Sequence, residues 1–398
     1  MKVLVAHNRY RSNVPSGENV VVDAEIDALR RAGVDVVPFI RSSDEIDSMS
    51  AVQKLGVALG PVRSASGVHE FRALLDSENP DIVHVHNVFP LISPWILKEA
   101  NRRDLPVAMT VHNFRLDCVA GTYLRGGHVC TECAGRSIAT PALQHGCYRG
   151  SRVQTIPMVI GRSVHRDTWR TVSRFFALTE FHAEFLRGLG IADDRIVVRP
   201  TSVADPGEMP APGRDVLFVG RLGAEKGVDV LLAAWKQSNA AAQGRRLHLV
   251  GDGDLRHEAD NAAASDSSII VHGSLDRDGV NALMRDCGPV VIPSTCFEGL
   301  PRVFSEAMAH GRPVMASDIG GLGRTADESS GWKVVAGDER EWAAALSNLT
   351  DADIHLRGRA ARQRFLSTFD ERTSIPTLLD TYQSVIRAHP QDPGAKNS

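Results

Sequence analysis

Val216-Leu217-Phe218-Val219-Gly220-Arg221-Leu222-Gly223-Ala224-Glu225-Lys226-Gly227 reads as four apolar residues, a loop carrying glycines and two cations, and then the start of an apolar helix. A short apolar run opening through such a loop into a helix is the repeating unit of an α/β sheet. The same rhythm recurs along the chain. Apolar runs at Lys2–Ala6, Val34–Ile40, Asp81–Val85 and Val107–Val111 alternate with helix-period segments in the first half. Val216–Val219, Leu247–Val250, Ile269–Val271, Val290–Ile292 and Val314–Ala316 do so in the second, before helical stretches at Glu339–Leu349, Ile354–Phe365 and Ile375–Ala388. The expected fold class is α/β with parallel sheets.

At 398 residues the chain is too long for one core, and two domains of about 200 residues each are expected. The stretch 200–213 holds four prolines and two glycines, which suits a linker. The expected division is therefore 1–200, 201–372, a helix over 373–389 and a polar, disordered tail at 390–398. A net charge of -3 with 23% charged residues gives no global attraction to nucleic acid. Met1–Ala6 is interrupted by His7, Asn8 and Arg9, too short for a secretory segment, and no run approaches the ~20 apolar residues of a membrane span. Cytoplasmic residence is the expectation. Six cysteines in such a chain suggest thiols or metal ligands rather than disulfides.

Phe297-Glu298-Gly299-Leu300-Pro301-Arg302-Val303-Phe304-Ser305-Glu306-Ala307-Met308 brings two carboxylates, a glycine turn and a helix start together. Pro301 suits the first helical position, leaving the amides of Arg302, Val303 and Phe304 open to a phosphate. Glu298 before the helix and Glu306 about one turn inside it can accept hydrogen bonds from hydroxyls on either side of that phosphate. Arg221 can grip phosphate oxygens as a fork, and Lys226 supplies a compact charge. These residue types in this order point to an anionic sugar compound.

The spacing Glu298, seven residues, Glu306, running into Ala307-Met308-Ala309-His310-Gly311-Arg312-Pro313-Val314, together with the Arg221/Lys226 loop, resembles the signature of retaining, nucleotide-sugar-dependent glycosyltransferases of family 4. The resemblance implies a GT-B architecture, two Rossmann-like parallel-sheet domains facing one cleft, with the acceptor side first, the donor side second and the last helix crossing back to the first domain. It implies that Glu306 binds the nucleotide ribose and that Glu298 holds donor-sugar hydroxyls, with Gly299, Leu300, Pro301, Arg302 and Val303 around it. Arg221 and Lys226 would face the diphosphate, and His272 would lie near the base. His112, in Thr110-Val111-His112-Asn113, matches the family's N-domain histidine near the donor sugar. Gly17 stands in the place of the family's Gly-Gly turn, with Ser16 replacing the other glycine. The implied activity is transfer of a sugar from a nucleotide diphosphate to a glycan or lipid-linked glycan in surface polysaccharide or glycoconjugate synthesis. No carboxylate is an evident nucleophile and no Asp-x-Asp stretch makes a convincing metal loop, so front-face substitution without a catalytic metal is expected.

Three further features stand apart. Cys118, Cys130, Cys133 and Cys147 include a two-residue spacing that lets two thiolates grip one ion, in a segment whose glycines leave it without an evident core. Structural zinc within an insertion over 115–150 is expected, with free thiols or a disulfide as alternatives, and some members of the resembled family carry similar insertions. Arg149, Arg152, Arg162, Arg166, Arg170 and Arg174 accompany Ile156, Met158, Val159, Ile160, Trp169 and Phe175-Phe176, as in a basic amphipathic helix on the inner, anionic face of a membrane or a solvated helix packing Trp169 inward. His84 and His86 share one strand face and could pair on a metal or line a cleft. Competing functions are a nucleotide-sugar epimerase or phosphorylase of the same fold, and a zinc-stabilised nucleic-acid-binding protein. The latter lacks aromatics interleaved with its arginines, so no nucleic acid partner is expected.

Overall fold

The computed structural model describes residues 1–13 and 16–389; the expected tail over 390–398 lies outside the described residues. The chain divides into two compact units. The first holds Met1–Tyr123, Thr131–Arg199 and the chain from Ile375 onward, and the second holds Pro200–Ser374 with Leu124–Cys130 grouped with it.

In the first unit, β1 (Lys2–Arg9), β2 (Asp35–Ser42), β3 (Ile82–Val85) and β4 (Val107–Val111) form a parallel sheet, while β5 (Leu124–Arg125) and β6 (His128–Val129), in the stretch grouped with the second unit, form a separate hairpin. Then β7 (Arg174–Ala177) and β8 (Ile196–Val198) complete the sheet in the order β2-β1-β3-β4-β7-β8. Val3, Leu4, Val5 and Ala6 are all buried because helices cover both faces: Leu4 and Ala6 join one apolar cluster, Val3 and Val5 the other. The helix Glu371–Ala388 supplies Leu378, Tyr382 and Val385 to the second cluster.

The second unit holds β9 (Val216–Val219), β10 (Leu247–Val250), β11 (Ile269–Gly273), β12 (Val290–Ile292), β13 (Val314–Ser317) and β14 (Gly331–Val334). Their order is β11-β10-β9-β12-β13-β14, all parallel. This is the doubly wound arrangement, in which ligands bind beyond the strand carboxyl ends where the order reverses. Here that point lies between β9 and β12.

Two expectations need correction. The stretch 200–213 is not a free linker: Val203 bridges to Asp370, Asp205 pairs with Arg362 and Arg372 at 2.6 Å each, and the Pro210 carbonyl accepts from Arg312 at 3.1 Å. The proline-rich backbone forms no ladder, so side chains of the same unit anchor it instead. Phe175 and Phe176 belong to a strand, not to the arginine helix, and are buried on opposite faces of the first sheet. The adjacent basic residues mask a strand only four residues long.

Candidate active site

The loops after β9 and β12 close on each other. Thr295 donates its backbone N–H to the Glu225 carbonyl at 3.1 Å and its hydroxyl to the Ala224 carbonyl at 3.0 Å. Gly227 has φ +68° and lies so tightly on the Pro293 carbonyl that an added Cβ would collide with it. The Gly251 loop after β10 leans on Gly220 in the same way. This seam carries Lys226 to Glu298, Nζ to Oε2, at 2.6 Å, while Ser294 donates to the other carboxylate oxygen. Burial alone would lower the Lys226 pKa, but the Glu298 charge outweighs it and the ammonium titrates above its usual value.

On the helix Arg302–Ala309, Arg302 Nε donates to Glu306 Oε1 at 2.6 Å. Arg221 pairs with Glu225 at 2.5 Å on a half-exposed loop. Pro301 is the residue before the helix and not its first member, and its carbonyl already accepts the Phe304 N–H at 2.9 Å. Of the three amides expected to meet a phosphate, Phe304 is therefore engaged, because the helix begins one residue later than the proline suggested. Gly299 and Leu300 lie in the loop entering this helix, and Val303 in its first turn. His272 is engaged elsewhere: its Nε2 lies 2.9 Å from His248 Nδ1, the rings stack, and His248 Nε2 approaches Asp215 at 3.4 Å. Thus Lys226 and Glu298 converge at the switch point, and Glu306 shares its helix with Arg302.

In the first unit Ser16 caps the helix Gly17–Arg31, its hydroxyl accepting from Asn19 N at 3.4 Å, so the residue that replaced a glycine acts as a helix cap. His112 follows β4 directly, stacked on His86 with its Nε2 2.9 Å from His86 Nδ1. Both line a cavity of about 30 Å³ with Glu18, Thr110, Asn113 and Arg115. Burial pushes the Glu18 carboxyl up to about 7 against the opposing pull of Arg115. Sequence reasoning passed over Glu18: an acidic residue in a first helical turn ordinarily signals only the macrodipole, and nothing local announces its burial. Glu225 and Ser294, which partner the predicted residues Arg221 and Glu298, were equally silent.

Glu25, His84 and His86 offer three potential metal-ligating atoms within 4.8 Å. Arg199 Nη1 sits 2.6 Å from Glu25 Oε2, so the carboxylate already has a cationic partner on the oxygen that faces away from the two histidine contacts. Cys118, Cys130, Cys133 and Cys147 carry no disulfide and are half-buried. Four cysteines outside any disulfide in a short segment suit zinc by their donor chemistry. The segment does, however, have an apolar core, contrary to expectation: Val119, Ala139, Ala142, Met158 and Val159 are buried together, with Cys133 and Cys147 packed against them. Residues from the following helix, Arg152–Val164, complete that core, which the glycine-rich stretch alone could not. Arg162 of this helix points inward to Asp117, and Trp169 is buried.

Two family models match: "Glycosyl transferase 4-like domain" over residues 16–201 and "Glycosyl transferases group 1" over residues 213–352. A glycogen synthase of Mycobacterium tuberculosis is 25% identical over 395 residues, covering 96% of this chain and 87% of the relative. A phosphatidyl-myo-inositol mannosyltransferase of Mycobacterium leprae is 26% identical over 390 residues, covering 94% and 95%. Among solved structures, sucrose-phosphate synthase from Thermosynechococcus elongatus superposes with a TM-score of 0.71 at 19% identity, covering 97% of this chain and 99% of its own. Anabaena HepE, solved with UDP and glucose, gives 0.67 at 16%, covering 96% and 100%. Both are alike in fold. With matched stretches spanning both units and the doubly wound sheets behind them, the chain belongs to the GT-B glycosyltransferases of the family 4-like kind.

Proposed function

We propose that this glycosyltransferase moves a sugar from a nucleotide diphosphate, with retention at the anomeric carbon and without a catalytic metal, to a glycan or lipid-linked glycan. The observation that carries the reading is the Lys226–Glu298 pair at the β9/β12 switch point, which offers an ammonium for the departing phosphate and a carboxylate for sugar hydroxyls side by side. An ammonium has three donors and Glu298 takes one. Arg221 adds a second positive charge toward the diphosphate, Glu306 takes the ribose, and His112 takes a sugar hydroxyl. The bond from the anomeric carbon to the phosphate oxygen breaks, the acceptor oxygen bonds on the same face, and its proton passes to the departing phosphate. HepE, which binds UDP and glucose, supports the donor class. Anomeric configuration of the product, read by proton NMR, tests the stereochemistry: a retained configuration is expected, and an inverted one contradicts the reading.

The lipid-linked acceptor draws support from the surface of the helix Arg152–Val164. Val153, Ile156, Ile160 and Val164 are exposed at spacings that share one face, flanked by Arg149, Arg152 and Arg166. A second helix, Ala51–Ala58, with Leu59 just after it, exposes Val52, Leu55 and Leu59, and the Val62 carbonyl beyond it meets His165 Nε2 at 2.7 Å. No helix among the described residues is long and apolar enough to cross a membrane. The proposed contact is therefore peripheral, on the anionic inner face. Structural zinc at the four cysteines completes the reading; it rests on the absence of a disulfide among them and the spacing of Cys130 and Cys133.

A further inference from the structure

Behind His112 lies a chain of buried polar groups that the transfer chemistry does not itself require. Glu25, on the helix Gly17–Arg31, is 8% exposed and holds Arg199 at 2.6 Å through Oε2. Its Oε1 lies 3.4 Å from His86 Nε2, and neither of those two buried atoms has a formed hydrogen bond among the described residues, so each is the nearest polar group left for the other to engage. His86 Nδ1 in turn lies 2.9 Å from His112 Nε2. The remaining neighbour, His84, has Nδ1 at 3.2 Å from the same Glu25 oxygen, but that nitrogen meets the Tyr382 hydroxyl at 2.6 Å and its Nε2 meets Thr110 at 2.8 Å.

We infer that Glu25 and His86 are positioning residues that fix His112 as a neutral imidazole protonated at Nε2, so that His112 meets its sugar through Nδ1 as a hydrogen-bond acceptor. The proton order follows from the chain. Arg199 keeps the Glu25 carboxylate ionised, so the His86 nitrogen facing it is the protonated one. His86 Nδ1 is then a lone pair, which only an N–H on His112 Nε2 can satisfy. A neutral ring has one proton, and that leaves His112 Nδ1 as an acceptor. Burial, with His86, His7 and His84 around the ring, outweighs the Glu25 charge and holds His112 well below its usual titration range, so no second proton arrives near neutrality. The histidine thus orients a hydroxyl by accepting its hydrogen, and it neither donates a proton nor places positive charge beside the departing phosphate. Orientation of a histidine by a buried carboxylate is known to matter because the wrong tautomer presents the wrong nitrogen.

This inference rests on the proposed role of His112 only for its consequence in turnover; the tautomer can be read without any substrate. Nitrogen-15 NMR of histidine-labelled protein, with His112→Gln assigning the resonance, is expected to show Nε2 protonated and Nδ1 bare, with no titration between pH 6 and 8 on the scale of an ordinary imidazole. A protonated Nδ1, or a midpoint within that interval, overturns the inference. His86→Phe, which keeps a ring in the stack but offers no acceptor, should free the tautomer and lower kcat about 10-fold while leaving affinity for UDP, GDP and ADP unchanged. An unaltered His112 spectrum in His86→Phe also overturns it. A bare Nδ1 with unaltered kcat would instead remove His112 from the transfer reaction and leave the relay standing.

Discussion

Lys226 is half-buried against Glu298, and in the proposed transfer its ammonium meets the departing phosphate. Lys226→Ala should lower turnover at least about 100-fold, the scale of losing one preorganised charge stabiliser. Steady-state kinetics with the preferred donor checks this, and near-normal turnover would remove the residue from the mechanism. Gly227 carries a different burden: it has a left-handed φ and no room for a Cβ beside Pro293. Gly227→Ala is expected to cost more than about 1 kcal/mol of stability in denaturant unfolding, and an unchanged midpoint would show that the seam between the loops can yield. Lys226 was legible in the sequence as a cation in a strand–loop–helix unit, whereas the tight seat of Gly227 on Pro293 was not. Nor were Glu25, Glu18 and Ser294, since their roles depend on partners far away in the chain or on burial that no local pattern announces.

At the scale of elements, strands buried on both faces announce themselves as continuous apolar runs, which is why β1, β3, β4, β9, β10, β12 and β13 could be located from sequence. The peripheral strands β7, β8 and β14 are only three or four residues long, and their pattern merged with the neighbouring helices and loops. The arginine segment shows the same limit. Its charge was visible, but not that Arg162 turns inward to Asp117 while Val153 and Ile156 face out. Replacing both outward residues, Val153→Glu with Ile156→Glu, should leave stability to unfolding within about 0.5 kcal/mol, as befits exposed positions. The same variant should sediment less with vesicles containing anionic phospholipid. Equal sedimentation of variant and parent would assign the apolar stripe to some other use.

For the molecule as a whole, the doubly wound order of the second sheet makes its switch point, where the donor site is proposed, a consequence of topology rather than of any one motif. Topology also concentrates histidines inside the first unit. Burial lowers His7 and His182 to about 3 and His86 to about 4. Each binds a proton more readily unfolded than folded, so their contribution to stability is present above pH 6.5 and is lost as pH falls toward 4. Glu18, raised to about 7, acts in the opposite sense, stabilising below about pH 4.5 and losing that effect as pH rises through 7. Three imidazoles against one carboxyl predict a net loss on acidification, at ~1.4 kcal/mol for each tenfold difference in proton affinity between the folded and unfolded chains. Thermal unfolding across pH 4 to 7 should show the midpoint falling as pH falls, and a flat profile would mean that these rings are not held neutral.

The most direct test of the donor site is calorimetric titration of the protein and of Lys226→Ala with a panel of UDP-, GDP- and ADP-sugars. At least one nucleotide sugar should bind the parent protein and bind the variant at least about 10-fold more weakly, as loss of a charge-assisted contact entails. Binding of none of them, or equal binding of the same donor to both proteins, would contradict a diphosphate cradle at the β9/β12 switch point.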